Sequence, residues 1–184
     1  SIILPEAYGG LDFGFMGMGV VLEESGRTLT ASPLFVSAVV GASAILLGGN
    51  EAQKQTLLPD IAGGTLTLAL ALEETQHHNP TNITTTAKRQ GEHFILNGSK
   101  FFVLDGHSAD KMIVVARTGG TERSSAGLTL LLVDRNASGV NCRRTFMADS
   151  RNAANIRFDN VIVPAENLLG AVNQGWAILE PVLD

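Results

Sequence analysis

The hydrophobic period of this chain changes once, at Thr65. Over residues 14–62, apolar side chains recur at the three-to-four-residue spacing of amphipathic or buried helices. Over residues 65–72, four leucines alternate with threonine and alanine, which is the two-residue repeat of a β-strand. The change predicts an α+β chain with more than one domain. We expect a helical N-terminal part over 1–64, a strand-rich middle domain over 65–165 and the start of a C-terminal helical domain over 166–184.

Helix boundaries are marked by capping residues and glycines. The first predicted helix covers 15–27, and the Ser32-Pro33 pair begins a second one that extends to residue 47. Asn50 caps a third predicted helix over 51–62, which the Gly63-Gly64 pair ends. A further helix is expected to begin at Gly175. Because the chain starts with serine and stops soon after that point, we expect it to be a piece of a longer protein.

Short strands separated by turn residues fill the middle of the chain. The predicted strands after residue 72 are 84–89, 93–97, 100–104, 111–117, 127–134, 140–146 and 154–159. Asn97-Gly98 is the strongest hairpin signal, because both residues tolerate the positive φ of a type I′ turn. Strands at this spacing without helices between them predict an antiparallel β-barrel or sandwich.

Charge and hydropathy limit the partners of the chain. The formal net charge of −5 disfavours nucleic acid, which requires clustered positive charge. Residues 28–50 carry no charge, but Pro33 interrupts them and the helical part is shorter than the roughly 20 apolar residues a bilayer requires, so no membrane span is predicted. Only 17% of residues are charged, so we expect part of the surface to contact another domain or subunit.

The candidate chemistry lies where the alternating strand ends. Glu73 and Glu74 precede a polar loop over 75–80, and loops at strand ends often hold ligands. Neighbouring carboxylates on a strand point to opposite faces, so their spacing does not make an acid/base dyad. The adjacent His77 and His78 cannot readily aim both rings at one metal, and we expect no metal site.

The order of motifs resembles that of the acyl-CoA dehydrogenase family along nearly the whole chain. The segments that carry the resemblance are Leu4-Pro-Glu-Ala-Tyr-Gly-Gly-Leu11, Val20-Val-Leu-Glu-Glu-Ser-Gly-Arg27, Gly48-Gly-Asn-Glu-Ala-Gln-Lys-Gln-Thr-Leu-Leu-Pro59, Leu68-Ala-Leu-Ala-Leu-Glu-Glu74, Leu96-Asn-Gly-Ser-Lys100 and Phe158-Asp-Asn-Val-Ile-Val-Pro164. Each segment alone is weak evidence for the family, whereas the occurrence of all of them in the same order is specific to it.

The resemblance implies an N-terminal helical domain, a β-barrel-like middle domain and a C-terminal helical bundle. It also implies the α,β-dehydrogenation of an acyl-CoA thioester, in which a carboxylate removes the α-proton and hydride passes to FAD. The implied partners are acyl-CoA and an electron-transfer flavoprotein, in a homo- or hetero-oligomer in the cytoplasm or mitochondrial matrix. In the family the catalytic glutamate belongs to the C-terminal bundle, so no residue of this chain is nominated as catalytic.

Site residues follow from the same resemblance. Cofactor-binding positions fall on Leu70, Leu72, Glu73, Phe102, Val103 and Leu104, and the substrate-binding serine of the family corresponds to Asn79. Two positions depart from the family pattern. Glu73 replaces the usual threonine of the flavin loop, and Leu104 lacks the hydroxyl that usually bonds to flavin N5. Phe102 retains the aromatic wall beside the ring.

Two alternative functions stay open at this point. The replaced threonine and serine positions are also compatible with a non-catalytic subunit or structural remnant of the same fold. A flavin oxidase or monooxygenase on this fold is a further alternative, which oxygen consumption would reveal.

Overall fold

The computed structural model describes residues 2–149 and 151–184. Within these described residues, three α-helices precede the sheet, and three helices are predicted there. They are α1 (Gly14–Arg27), α2 (Ala42–Gly48) and α3 (Glu51–Gly63), and a short 3₁₀ turn at Glu6–Tyr8 comes before them. A fourth helix, α4 (Trp176–Leu183), follows the sheet. No helix within these residues is long and apolar enough to cross a bilayer.

The second predicted helix differs from expectation in its first half. Residues Leu34–Gly41 wind as a π-helix that continues directly into α2. Within this turn, the Ser37 hydroxyl donates to the Leu68 carbonyl (3.1 Å) and accepts from the Leu68 N–H (2.9 Å). A Cβ at Gly41 would lie 2.8 Å from the Leu68 Cβ, so only glycine permits this approach. The π-helical segment therefore holds the start of the first strand.

In the part of the chain that the structure describes, eight strands form one sheet. They are β1 (Leu68–Ala71), β2 (Thr86–Gln90), β3 (His93–Leu104), β4 (Lys111–Arg117), β5 (Leu128–Asp134), β6 (Val140–Phe146), β7 (Asn152–Pro164) and β8 (Leu168–Leu169). The order is β6-β7-β3-β2-β4-β5-β8, and β1 pairs with β4. Most pairs are antiparallel as expected, but β1–β4 and β2–β4 are parallel.

The predicted hairpin at Asn97-Gly98 is wrong. Both residues lie inside the twelve-residue strand β3, and the chain reverses instead between Gln90 and His93. Asn97 exchanges hydrogen bonds with Asn160 across the β3–β7 pair, where the register shifts. A Cβ at Gly98 would lie 2.4 Å from the Thr85 hydroxyl oxygen, so its glycine permits close packing within a strand.

Two of the three apolar clusters formed by the described residues lie on opposite faces of the sheet, and the third, smaller one consists of Ile3, Met18 and Ala38 in the N-terminal part. Strand β4 contributes to both cores on the sheet, because Ile113 packs among the helices while Met112 and Val114 face the other core, and all three are fully buried. A strand covered on both faces is apolar along its whole length, as Lys111–Arg117 largely is. The mixed α+β class is thereby confirmed, whereas the division at residues 64 and 165 stays a prediction.

Candidate functional site

A bulge in β3 turns two consecutive aromatic rings outward. The β3–β7 register shifts between Lys100 and Val103, so Phe101 and Phe102 both leave the core, with 44% and 52% of their surfaces exposed. Phe102 adopts a left-handed φ of +53° and donates its N–H to the side-chain oxygen of Asn155 (3.0 Å). Such a φ is costly for a bulky residue, and strained backbone of this kind is concentrated at functional sites.

The end of β1 is fastened to this bulge. The Phe101 N–H donates to the Glu73 carbonyl (2.8 Å), and the Lys100 ammonium donates to the Leu72 carbonyl (2.9 Å) and the Glu74 carboxylate (2.7 Å). Lys100 is fully buried, and the Glu74 side chain is 6% exposed. Segments about thirty residues apart in sequence are thus joined at one point.

Charge and burial compete at this ion pair. Burial alone would raise the pKa of Glu74, but the Lys100 charge and hydrogen bonds from Lys100, Thr84 and Thr85 lower it to about 2. Burial lowers the pKa of Lys100 to about 8, against the opposing effect of Glu74. A carboxylate with partners on several sides stays ionised near neutral pH. Glu74 therefore acts as an anchor for residues 84–85.

Glu73 organises the loop that follows it. One carboxylate oxygen lies 2.6 Å from His78 Nδ1, and the other accepts the Asn79 N–H (3.1 Å). The loop is thereby folded back over the end of β1. Glu73 and Glu74 consequently bind different partners: Glu73 binds within the loop that follows it, and Glu74 binds Lys100, Thr84 and Thr85.

An open cavity of about 760 Å³ lies between the loop and the bulge. Its walls are formed by Glu73, Glu74, Thr75, Gln76, His77, His78, Phe101, Phe102, Thr145 and Asn155. The volume is within the range of small-molecule and cofactor sites. The two phenylalanine rings offer apolar and aromatic surface to a planar ligand, and the loop contributes polar groups that could orient it.

Two of the residues predicted from the resemblance line this cavity, namely Glu73 and Phe102. Leu72 and Val103 are buried in the two cores, at 5% and 2% exposure. Leu70 and Leu104 are partly buried and pack against those cores. Asn79 is exposed on the loop and is linked to the cavity through its N–H bond to Glu73. Their assignment to cofactor and substrate stays a prediction.

Three lining residues were not predicted from the sequence. Phe101 adjoins a predicted position, but only the bulge turns its side chain to the same side as Phe102. Thr145 reaches the cavity from β6 and Asn155 from β7; β6 pairs with β7, and β7 in turn pairs with β3. Neither residue belongs to a motif, so only the strand order could have indicated them.

The described residues contain no group of three or more histidine, cysteine, aspartate or glutamate side chains arranged to hold a metal ion. The candidate site is thus an aromatic cleft with a folded polar loop on one side.

Comparison with protein families gives two matches. Residues 1–65 match the acyl-CoA dehydrogenase N-terminal domain, and residues 69–161 match the acyl-CoA dehydrogenase middle domain. The matches meet within a few residues of Thr65, where the hydrophobic period changes, and the second contains every residue that lines the candidate cavity.

Individual proteins show the same relationship. The chain is 34% identical over 188 residues to cyclohex-1-ene-1-carbonyl-CoA dehydrogenase of Geobacter metallireducens, covering 98% of this chain and 49% of that protein. The glutaryl-coenzyme A dehydrogenase structure in complex with glutaryl-CoA superposes with a TM-score of 0.89 at 28% identity, over 98% of this chain and 48% of that one. A chain in the structure of the electron transferring flavoprotein of Acidaminococcus fermentans superposes with a TM-score of 0.87 at 28% identity. This superposition covers 99% of this chain and 49% of that one. The chain spans about half the length of these relatives.

Proposed function

This chain belongs to the acyl-CoA dehydrogenase family, and on that premise we propose that its protein dehydrogenates an acyl-CoA thioester with FAD as the redox cofactor. The observation that carries the proposal is the cavity where the end of β1 meets the β3 bulge. It is large enough for a cofactor-sized ring, and its apolar wall consists of two exposed phenylalanines. The proposal is supported by the meeting of the two segments at this junction, because the resemblance implies cofactor contacts from both of them. The implied positions are Leu70, Leu72 and Glu73 on the first segment and Phe102, Val103 and Leu104 on the second.

The residues present are compatible with a flavin. When bound, FAD supplies a hydride acceptor, which no amino-acid side chain provides. Phe102, with its neighbour Phe101, would contact the face of the planar ring, and the loop over 75–78 would limit the access of water. Leu70, Leu72, Val103 and Leu104 would support these contacts from behind. Asn79 would contact the acyl-CoA substrate.

The partners follow from the family as proposals. We infer that electrons leave through an electron-transfer flavoprotein and that the subunits assemble as a homo- or hetero-oligomer. The superposed chain in the Acidaminococcus electron transferring flavoprotein structure supports the first inference. The cytoplasm or the mitochondrial matrix is the compartment we expect for this chemistry.

A non-catalytic subunit on the same fold is the second candidate function. It is favoured by Glu73, which puts a carboxylate beside the cavity where the family usually has threonine, and by Leu104, whose side chain has no hydrogen-bond donor. Such a subunit would support an active partner without retaining flavin itself.

The test is the absorption spectrum of the full-length purified protein. We expect a flavin spectrum that bleaches when acyl-CoA is added under anaerobic conditions, and substrate-dependent oxygen consumption in air would instead indicate an oxidase. Phe102→Ala should lower flavin retention, whereas Phe146→Ala, a matched control at a ring 84% exposed outside the cavity, should leave it unchanged. A colourless protein that resists reconstitution with FAD would support the non-catalytic subunit.

A further inference from the structure

Two exposed arginines, Arg143 and Arg157, lie next to the cavity on the solvent-exposed face of β6 and β7. Asn155 on β7 and Thr145 on β6 form part of the cavity wall. Side chains two residues apart along a strand share a face, so Arg157 follows Asn155 on that face and Arg143 lies beside Thr145. The strand register confirms the arrangement, because Arg143 is directly opposite Asn155 and Arg157 is opposite Asn141.

Both guanidinium groups are available to a ligand. Arg143 and Arg157 are exposed, and within residues 2–149 and 151–184 neither makes a side-chain hydrogen bond or an ion pair. Asp159 lies on the same strand two positions beyond Arg157, and its carboxylate accepts a hydrogen bond from the Asn160 side-chain amide (2.9 Å). The carboxylates of Glu73 and Glu74, which belong to the cavity wall, are bonded to His78 and Lys100 respectively. Two unpaired cations beside one cavity are notable on a chain whose net charge is −5.

Their spacing suits one particular kind of anion. Diagonal neighbours on antiparallel strands have Cα atoms roughly 7–8 Å apart. Two arginine side chains can therefore converge on adjacent phosphates, which guanidinium groups bind in a bidentate manner. The Ser99 hydroxyl lies on β3 opposite Arg157 and could add a further donor.

We propose that Arg143 and Arg157 form a diphosphate-binding ledge for the ligand whose apolar part occupies the cavity. The inference rests on the proposed function, and it adds a subsite on β6 and β7 with the residues that form it. FAD and CoA both contain an adenosine diphosphate moiety, so the shared chemistry is a diphosphate ester and the experiment distinguishes the two sources.

The experiment measures the affinities of the full-length protein for CoA, FAD, pantetheine and riboflavin, of which the last two lack the diphosphate. The double variant R143Q/R157Q removes both charges from the ledge. Arg144→Gln is the matched control, since Arg144 lies on the same strand with its guanidinium over the Phe146 ring (4.8 Å) on the other face. Thermal unfolding of each variant verifies that the exposed substitutions leave the fold intact.

We expect the double variant to bind either CoA or FAD at least about tenfold more weakly, since charge-assisted hydrogen bonds are lost. Loss for CoA alone identifies the substrate diphosphate, and loss for FAD alone identifies the cofactor diphosphate. The affinity of the double variant for pantetheine and for riboflavin should differ from the wild-type value by less than about twofold. The affinities of the R144Q variant for CoA and FAD should likewise change by less than about twofold. Wild-type affinity of R143Q/R157Q for both CoA and FAD overturns the ledge and leaves the proposed function standing. If the wild-type protein binds CoA through these arginines but does not bind FAD, the proposed function is contradicted and the ledge is not. If the wild-type protein binds neither CoA nor FAD, the proposed function and the ledge are both contradicted.

Discussion

The Lys100 ammonium lies 2.7 Å from the Glu74 carboxylate, with both side chains withdrawn from solvent beside the cavity that Phe101 and Phe102 line. This pair connects the end of β1 to the β3 bulge, and Glu74 also receives the N–H groups of Thr84 (2.7 Å) and Thr85 (3.0 Å). This buried pair, together with the Phe101 N–H bond to the Glu73 carbonyl, therefore helps to join the two walls of the site and to return its loop to β2.

Removing one member of this pair should destabilise the fold strongly. We expect Lys100→Met to lower the free energy of unfolding by about 3–5 kcal/mol, because it leaves a buried carboxylate without its counter-ion. Lys111→Met, which breaks the more exposed 3.5 Å pair with Asp134, should cost less than about 1 kcal/mol. Urea unfolding measures both. In a double-mutant cycle with Glu74→Gln, the combined variant should be more stable than the sum of the single effects indicates. Strict additivity would show that the pair is not coupled.

The same pair predicts a loss of stability in acid. The pKa of Glu74 is about 2 in the folded protein against an ordinary 4.5, so the unfolded chain takes up the proton first as the pH falls. The stability contributed by the ionised carboxylate is complete above pH 4.5 and is lost progressively toward pH 2. Urea unfolding as a function of pH should show this slope in the wild type and a shallower one in Glu74→Gln. An unchanged slope in that variant would assign the acid sensitivity to other carboxylates.

Phe102 should reverse the usual order of alanine and glycine. In an ordinary strand, glycine is roughly 0.5–1 kcal/mol less stable than alanine. At the φ of +53° observed here, alanine retains a left-handed penalty of about 1–2 kcal/mol that glycine avoids. We therefore expect Phe102→Gly to be more stable than Phe102→Ala in denaturant unfolding, while both weaken flavin binding. Equal flavin affinity in these variants and the wild type would remove Phe102 from the ligand site.

Local signals predicted local structure well. Asn50 was predicted to cap α3, and it forms a complete capping box with Gln53 because every partner lies within four residues. The hairpin predicted at Asn97-Gly98 is wrong because contacts distant in sequence determine the backbone conformation there. These contacts are the hydrogen bond between Asn97 and Asn160 on β7 and the close approach of Thr85 to Gly98. The sequence supplies the turn preference of two residues, but it does not show that distant strands will hold those residues extended.

The candidate site follows the same rule: residues in local motifs are predictable from the sequence, and residues that distant strands contribute are not. The motif residues Glu73 and Phe102 were assigned by resemblance, and both line the cavity. Asn155 and Thr145 come from strands that follow β3 by some forty to fifty residues, and the strand order alone brings them to the site. The bulge that exposes Phe101 is likewise a property of the β3–β7 pairing and has no single-residue signature in the sequence.

Arg117 connects the segment that follows the cavity loop to a second loop over 119–126. Its Nε donates to the Ile83 carbonyl (2.8 Å), and its terminal nitrogens donate to carbonyls on both segments at 3.0–3.3 Å. These acceptors are the carbonyls of Thr81, Gly119, Glu122, Ser124 and Ala126. The planar fork has five N–H donors for these six carbonyls, so at least one N–H is shared between two acceptors, whereas an ammonium has only three donors.

Arg117→Lys should therefore release the 119–126 loop although the charge is kept. Arg123 is exposed within that loop, so limited trypsin digestion reports the opening directly as cleavage after Arg123. We expect the cleavage rate to rise about tenfold, which corresponds to the loss of roughly 1.4 kcal/mol from the closed loop. Arg89→Lys, at an exposed guanidinium 6.0 Å from the Phe94 ring, is the matched control and should cleave at the wild-type rate. If Arg117→Lys also cleaves at that rate, the carbonyl contacts do not hold the loop closed and the charge alone is sufficient.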